Sequence, residues 1–371
     1  MHSKQHKYQI LIPDRVAESV EIERAVFGEK AEFVLGHAAH ANEIPDSVWE
    51  TSDAILAWHE LDYDESLLSK LHCCKTIVRV GVGYDNVDLK SAGQQGIVVC
   101  NVPDYGTGEV ADHALAMLLS FARGIPGIAE KVRQSNEFWS WKKVGNLKRL
   151  SDSVLGIIGL GRIGSAVALR AKSFGLRVLF YDPYKPAGYD KTLGIERFHD
   201  LHKMLEAVDY VSLHAPLTDE TRGMADQRFF AHLKPGAVLI NTARGATVEL
   251  DALERALRVG RLKAAGLDVL PEEPPDRDHP LIRAWTNDEE WLASRLLVTP
   301  HSAFWCVEAL TEMRRKAAEE ALRVLEGGEP LNPVNAHVLC SHAKQTATYL
   351  APIAIPSASE KNGEQVDLKA V

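Results

Sequence analysis

Cysteine is scarce in these 371 residues, and its number is odd: Cys73, Cys74, Cys100, Cys306 and Cys340. They include no Cys-x-x-Cys pair, so neither a disulfide framework nor a zinc knuckle fits, and all five read as reduced intracellular thiols. Long hydrophobic runs are missing too. The stretch Ala111 to Ala122 is interrupted by Asp112 and His113, and the apolar run near the N-terminus, Ile10 to Ile12, is too brief for a signal-peptide core. The chain is therefore expected in the cytoplasm, away from membranes. Positive charge in blocks is the third absence. Forty-two Lys and Arg stand against 51 Asp and Glu, a net charge of −9, with no basic segment to track a phosphate backbone, so nucleic acid is not an expected direct ligand. His37 with His40, and His199 with His202, are spaced three apart but lack a third ligand nearby. No metal site is expected.

What is present is an ordinary globular composition, 46% hydrophobic and 25% charged, at a length that predicts about two domains. Short β-branched runs alternate with amphipathic stretches over the first hundred residues: Tyr8 to Ile12, Ala31 to Val34, Ala54 to Ala57, Thr76 to Val80 and Ile97 to Cys100. A long amphipathic helix, Gly108 to Arg123, follows Pro103 and marks a domain boundary. A second alternating series then runs from Ser153 to about His301. Its strands, Val154 to Ile158, Arg177 to Tyr181, Tyr210 to His214, Ala237 to Asn241 and Leu296 to Thr299, are nearly continuous apolar runs, as in parallel sheets covered on both faces. A last helix, about Val307 to Glu326, ends at Gly327 and Gly328 and is expected to return to the first domain. Its charges, Arg314, Arg315, Lys316, Glu319, Glu320 and Arg323, read as a solvated face with i, i+4 pairing.

The expected fold is α/β: two Rossmann-like or flavodoxin-like domains, each a doubly wound parallel sheet, with a cleft between them. Residues 1–103 with 304–335 form the expected substrate-binding lid, 104–303 the dinucleotide domain, and 336–371 a loosely held tail.

Gly159-Leu160-Gly161-Arg162-Ile163-Gly164 matches G-x-G-x-x-G. That pattern is weak alone, but here it directly follows an apolar strand and opens a helix. Gly159 permits the tight turn, Gly161 lets the backbone approach a pyrophosphate, and Gly164 allows close helix packing, with the positive helix end facing the phosphates. About 20 residues on, Asp182 ends the next strand, where a carboxylate accepts from a ribose 2′-hydroxyl and repels a 2′-phosphate. NAD is thereby favoured over NADP. The bland alternative is a tight turn with Asp182 as a helix cap.

Three further strand ends each carry one ionisable group: Arg244 in Asn241 to Gly245, Glu273 in Asp268 to Pro274, and His301 in Thr299 to Ser302. Ligands of doubly wound sheets bind beyond the carboxyl ends of strands, so the three are expected to converge on one crevice. Their types suit ketone and alcohol interconversion. A guanidinium fork holds a carboxylate and the adjacent carbonyl oxygen, and an imidazole exchanges a proton with that oxygen. A carboxylate beside the imidazole fixes its tautomer. Singly, each has an ordinary reading as a surface ion pair, a loop charge or a helix cap; jointly, after a dinucleotide motif, they point to a site.

The segments Arg79 to Asp88, Gly159 to Gly164, Asn241 to Gly245, Gly266 to Pro274 and Thr299 to His301 together resemble the D-isomer specific 2-hydroxyacid dehydrogenases, over about Ile55 to Asn335. Within that family the chain is most similar to the C-terminal binding protein branch, through Phe180 to Tyr184, Ala166 to Gly175 and Glu312 to Arg323. The resemblance implies that Arg244, Glu273 and His301 form the catalytic trio. It also implies that the backbone around Val82 and Gly83, with Arg79, binds the substrate carboxylate. Arg162, Ile163, Asp182, Thr242, Ala243 and Asp268 would contact NAD, Asp268 near the nicotinamide amide. It further implies a homodimer formed through the cofactor domain, using the helix Gly108 to Arg123.

Two features depart from the family pattern. The binding-protein branch carries tryptophan three residues after the histidine, where this chain has Phe304 followed by Trp305. The stretch Pro275 to Leu297, with Trp285 and Trp291, is longer than in most relatives and reads either as an active-site cover or as a surface excursion.

Two functions fit. The first is NADH-dependent reduction of a small 2-keto acid to its D-2-hydroxy acid, with D-3-phosphoglycerate dehydrogenase and glyoxylate or hydroxypyruvate reductase among the possible activities. The second is an NAD-sensing scaffold, as eukaryotic C-terminal binding proteins are in transcriptional repression. The full trio favours chemistry, and Glu273 disfavours a formate dehydrogenase, where glutamine stands at that position.

Overall fold

The computed structural model describes residues 7–15 and 19–339. Among the described residues, twelve strands form two sheets. The first contains β1 (Tyr8–Asp14), β2 (Ala31–Ala38), β3 (Ala54–Ala57), β4 (Thr76–Arg79) and β5 (Val98–Asn101), in spatial order β2-β1-β3-β4-β5. The second contains β6 (Val154–Ile158), β7 (Arg177–Tyr181), β8 (Glu196–Phe198), β9 (Tyr210–Leu213), β10 (Ala237–Asn241), β11 (Leu262–Leu267) and β12 (Leu296–Val298), in order β12-β11-β10-β9-β6-β7-β8. Every pairing between these strands is parallel. The architecture is thus two parallel-sheet α/β domains, as the alternating apolar runs predict.

In each sheet the strand order reverses once, between β1 and β3 and between β6 and β9. Crossovers leave such a point toward opposite faces, which opens a crevice beyond the strand ends. The loops after β3, β4, β6, β9, β10, β11 and β12 all reach the crevice between the two sheets.

The helix Thr107–Ala122 packs Ala114, Leu115, Leu118 and Phe121 onto Leu155, Ile157 and Ile240 of the second sheet. The helix Val307–Leu325 lays Ala309, Met313, Ala317, Ala318 and Ala321 on β1, β3 and β4 of the first. Its start is set by Cys306, whose Sγ accepts from the Ala309 N–H, and its end by Gly327 at φ 79°. Small alanines let the helix approach closely, and Met313, 1% exposed, contributes on the order of 2 kcal/mol by burial.

Several expectations are corrected. Two strands, β8 and β11, carry little signal in the sequence. The first is three residues at an edge, and the second, Leu-Lys-Ala-Ala-Gly-Leu, lacks β-branched residues. The charged face of the last helix is not uniformly solvated. Arg314 forms a buried pair with Glu23 at 2.6 Å, and Glu320, 4% exposed, accepts from the Leu331 N–H at 2.6 Å. That bond helps hold residues 332–335 along β5, where the Val334 N–H donates to the Val99 carbonyl and covers the sheet edge. Arg315 and Glu319 do pair in the solvent as expected.

The stretch from Pro275 to Leu297 is no cover for the crevice. Its helix Pro280–Thr286 buries Leu281, Ile282 and Ala284 in the core of the second sheet. His37, His40 and His199 are exposed, and His202 stacks on His232; no metal-holding group occurs among the described residues. Cys74 and Cys100 are buried, and desolvation pushes the Cys74 thiol up to about 12. Cys340 and most of the expected tail lie outside the described residues; its first part, Ala336–Val338, is a short turn against Gly93.

Candidate active site

The glycine loop shows why two of its glycines are needed and what the third leaves open. Gly159 follows β6 at φ 87°, and a Cβ there would lie 2.6 Å from the Ala215 nitrogen. A Cβ on Gly164 would lie 2.2 Å from the Gly159 oxygen, so this glycine lets the helix Arg162–Ser173 close onto the turn. Around Gly161 a Cβ would meet nothing within 4 Å, which leaves an open cradle at the helix start. Asp182 Oδ2 accepts the Leu160 N–H at 2.8 Å, which sets the carboxylate against the loop. Arg197, distant in sequence, reaches the same strand end, but it donates to the carbonyl oxygens of Asp182, Lys185 and Pro186.

Two buried polar atoms in this half of the crevice lack a partner: Thr242 Oγ1 and His214 Nδ1. Unpaired buried groups are costly, so these mark places where a bound ligand completes the hydrogen bonding. Together with the open glycine cradle they fit a dinucleotide. Ile163, Arg162, Ala243 and Asp268 border the same space.

The predicted trio meets at the crevice. His301, at φ 52°, is held in a left-handed conformation that non-glycine residues rarely adopt, with its N–H donating to the Asp268 carbonyl at 2.8 Å. Its Nδ1 lies 2.7 Å from Glu273 Oε2, while Glu273 Oε1 accepts the Leu270 N–H. Burial pushes the Glu273 carboxyl up, but the His301 imidazole and the Leu270 N–H outweigh it and hold the group below its ordinary value. Asp268 is the anchor of this loop: its carboxylate accepts from Thr299 Oγ1, Ser302 N–H and Ala303 N–H.

Arg244 donates through Nε to Asp85 Oδ1 at 2.8 Å and through Nη1 to the Ala243 carbonyl at 2.7 Å. Its guanidinium lies beside Gly83, where a Cβ would fall 1.2 Å from Nη2. With the guanidinium in this position, only glycine fits there. Burial raises Asp85, but the Arg244 charge and hydrogen bond prevail and hold it below the usual carboxylate range. Arg79 is buried, donates through Nη1 to the Val80 carbonyl, and leaves Nε unpartnered; burial and the nearby Arg244 charge lower it to about 10. The crevice enclosed by these groups, Val82 among them, measures about 360 Å³.

Three neighbours were not singled out from the sequence. His59, just past β3, places its ring 5.4 Å from that of His301; burial, with the Arg79 and His301 charges, lowers it to about 4, so it is neutral at pH 7. Its loop is clamped by Asp14, which accepts from the Trp58 and Glu60 N–H groups. His113 Nε2 lies 3.0 Å from Thr299 Oγ1 and joins the long helix to the Asp268 anchor. Asp85 stands opposite Arg244. A signal existed for His59, an ionisable residue at the carboxyl end of a parallel strand.

Comparison with known proteins identifies the family. The model of the D-isomer specific 2-hydroxyacid dehydrogenase NAD-binding domain matches residues 115–303. The chain is 38% identical over 266 residues to the glyoxylate reductase of Korarchaeum cryptofilum, covering 71% of this chain and 77% of that protein. It is 35% identical over 269 residues to the D-3-phosphoglycerate dehydrogenase of Methanocaldococcus jannaschii, covering 72% of this chain but 49%, about half, of that longer protein. Among solved structures, the D-lactate dehydrogenase of Aquifex aeolicus complexed with NAD and lactic acid superposes with a TM-score of 0.75 at 28% identity, over 86% of this chain and 96% of that one. No helix among the described residues is long and apolar enough to cross a membrane.

Proposed function

Because this chain belongs to the D-isomer specific 2-hydroxyacid dehydrogenase family, we propose that it interconverts a 2-keto acid and its D-2-hydroxy acid with NAD as cofactor. The carrying observation is the 2.7 Å contact between His301 and Glu273 on the wall that Arg244 shares. When bound, the nicotinamide supplies or accepts the hydride. The chain's own residues do the rest.

Arg79 and Arg244, with the backbone at Val82 and Gly83, hold the substrate carboxylate, and Arg244 also polarises the carbonyl oxygen. Glu273 engages Nδ1, so Nε2 is the nitrogen left to deliver a proton to that oxygen in reduction and to withdraw it in oxidation. Gly159, Gly161 and Gly164 receive the pyrophosphate with Arg162 and Ile163 beside it. Asp182 takes the ribose hydroxyls. Thr242 and Ala243 line the ring pocket, with Asp268 at the amide. Asp182 supports NAD over NADP, because its negative charge opposes a 2′-phosphate and Arg197 is already committed to carbonyl oxygens.

Two finer readings belong to the same proposal. The likeness of Phe180 to Tyr184 and Glu312 to Arg323 to the C-terminal binding protein branch supports a kinship with that branch, and a cytoplasmic location is part of the same reading. A homodimer is supported by the segment after the long helix: the helix Ile125–Gln134 has no buried residue, and Trp139 and Trp141 are 78% and 81% exposed, which a partner subunit would cover. The test is NADH oxidation over a panel of 2-keto acids beside His301→Ala. Turnover lost in the variant supports the dehydrogenase. Absence of turnover with every keto acid refutes it and leaves the scaffold.

A further inference from the structure

Resting on that dehydrogenase reading, we propose that the substrate is a monocarboxylic 2-keto acid with a bulky apolar side chain, branched or aromatic, and that Phe304 sets the choice. Charge pairing in the crevice comes first. Arg244 is paired with Asp85 at 2.8 Å and Glu273 with His301 at 2.7 Å. Arg79 keeps a buried, unpartnered Nε and makes no ion pair among the described residues, and Arg244 Nη2 has no hydrogen-bond partner there. These two guanidinium groups flank the backbone of Gly81 to Gly83 and together receive one carboxylate. A second anionic group placed beside them would face the carboxylates of Asp85 and Glu273.

The rest of the substrate wall is apolar. Trp58 comes from the end of β3, Tyr105 from the loop after β5 and Met313 from the returning helix, each at least nine-tenths buried. Phe304 completes the wall and, unlike these three, is half-buried, so it has surface left to offer. Its ring meets Tyr105 edge to face at 6.0 Å and His301 at 6.4 Å, interplanar angles 76° and 81°. The apolar surface therefore begins beside the His301 imidazole, which the dehydrogenase reading sets next to C2 of the substrate. The polar groups on this side are Asn101, whose amide donates to the Val82 carbonyl, and His59 and the Tyr105 hydroxyl, both neutral at pH 7. Glyoxylate, with only hydrogen at that position, would leave the wall uncovered.

Each methylene buried on going to the transition state is worth a factor of about four, so an isobutyl in place of a methyl gives roughly 30-fold or more in kcat/KM. The experiment is a kcat/KM panel with NADH over glyoxylate, pyruvate, oxaloacetate, 4-methyl-2-oxopentanoate and phenylpyruvate. It is run for the wild type, Phe304→Ala and Phe304→Leu, with Tm and NADH affinity measured on each. The expected result is a wild-type preference for the last two acids by about 30-fold over pyruvate. The preference should fall about tenfold in Phe304→Ala and less in Phe304→Leu. Preference for glyoxylate, pyruvate or oxaloacetate overturns this inference while leaving the dehydrogenase intact. Loss of all turnover in the wild type overturns the dehydrogenase reading, and the inference with it.

Discussion

Alanine at Gly83 perturbs the candidate site through a single methyl group. The new Cβ would lie 1.2 Å from Arg244 Nη2, 2.4 Å from Cζ and 3.0 Å from Nε. The guanidinium is the far end of a flexible side chain, so it swings away and the backbone stays in place. With it go the fork offered to the substrate and the 2.8 Å bond to Asp85. Two charge-assisted hydrogen bonds to a substrate are worth about 3–6 kcal/mol together. Arg244 and Asp85 retain 24% and 33% side-chain exposure, so the lower end applies. kcat/KM should then fall on the order of 10²–10³-fold. Loss of the partly exposed Arg244–Asp85 pair costs about 1 kcal/mol of stability, a Tm shift of no more than about 4 °C. The assay is NADH oxidation at saturating cofactor, with thermal melting and NADH fluorescence as controls. Combined with Arg244→Ala, the two losses should not add, because both remove the same fork. Activity within fivefold of wild type, or additive losses in the double variant, would refute the reasoning.

Other perturbations separate the remaining parts. Glu273→Gln keeps the shape but removes the charge facing His301 Nδ1; kcat/KM should fall about 10–100-fold, the worth of one charge-assisted bond, with NADH affinity unchanged. Asp268→Ala leaves Thr299 Oγ1 and two backbone N–H groups without their acceptor in a buried loop. Denaturant titration should show a loss of about 3–5 kcal/mol. His59 and His214 are both lowered from 6.5 to about 4 by burial, so each is neutral when folded and gains its proton on unfolding. Their contribution is present above pH 6.5 and lost as pH falls from about 6.5 toward 4. Tm should drop across that window, and His214→Gln should flatten the slope.

Local chemistry made the strands, the glycine turn and the three strand-end groups legible in the sequence, because periodicity and turn geometry act over a few residues. The same locality hid β11, whose alanines and glycine form a strand through their neighbours β10 and β12 rather than through propensity. It also hid the burial of Glu320 and Arg314, since a helix surface reads as solvated until another segment covers it. Residue types and order along the chain were enough to nominate Arg244, Glu273 and His301. Which charges pair was decided only by loops from two sheets meeting across a crevice: Arg244 with Asp85, Glu273 with His301, Arg79 with none among the described residues, and His59 neutral beside the imidazole. Charge state and pairing depend on desolvation and on distances of a few ångströms between groups far apart in the chain, and those distances exist only once both sheets are folded and facing each other.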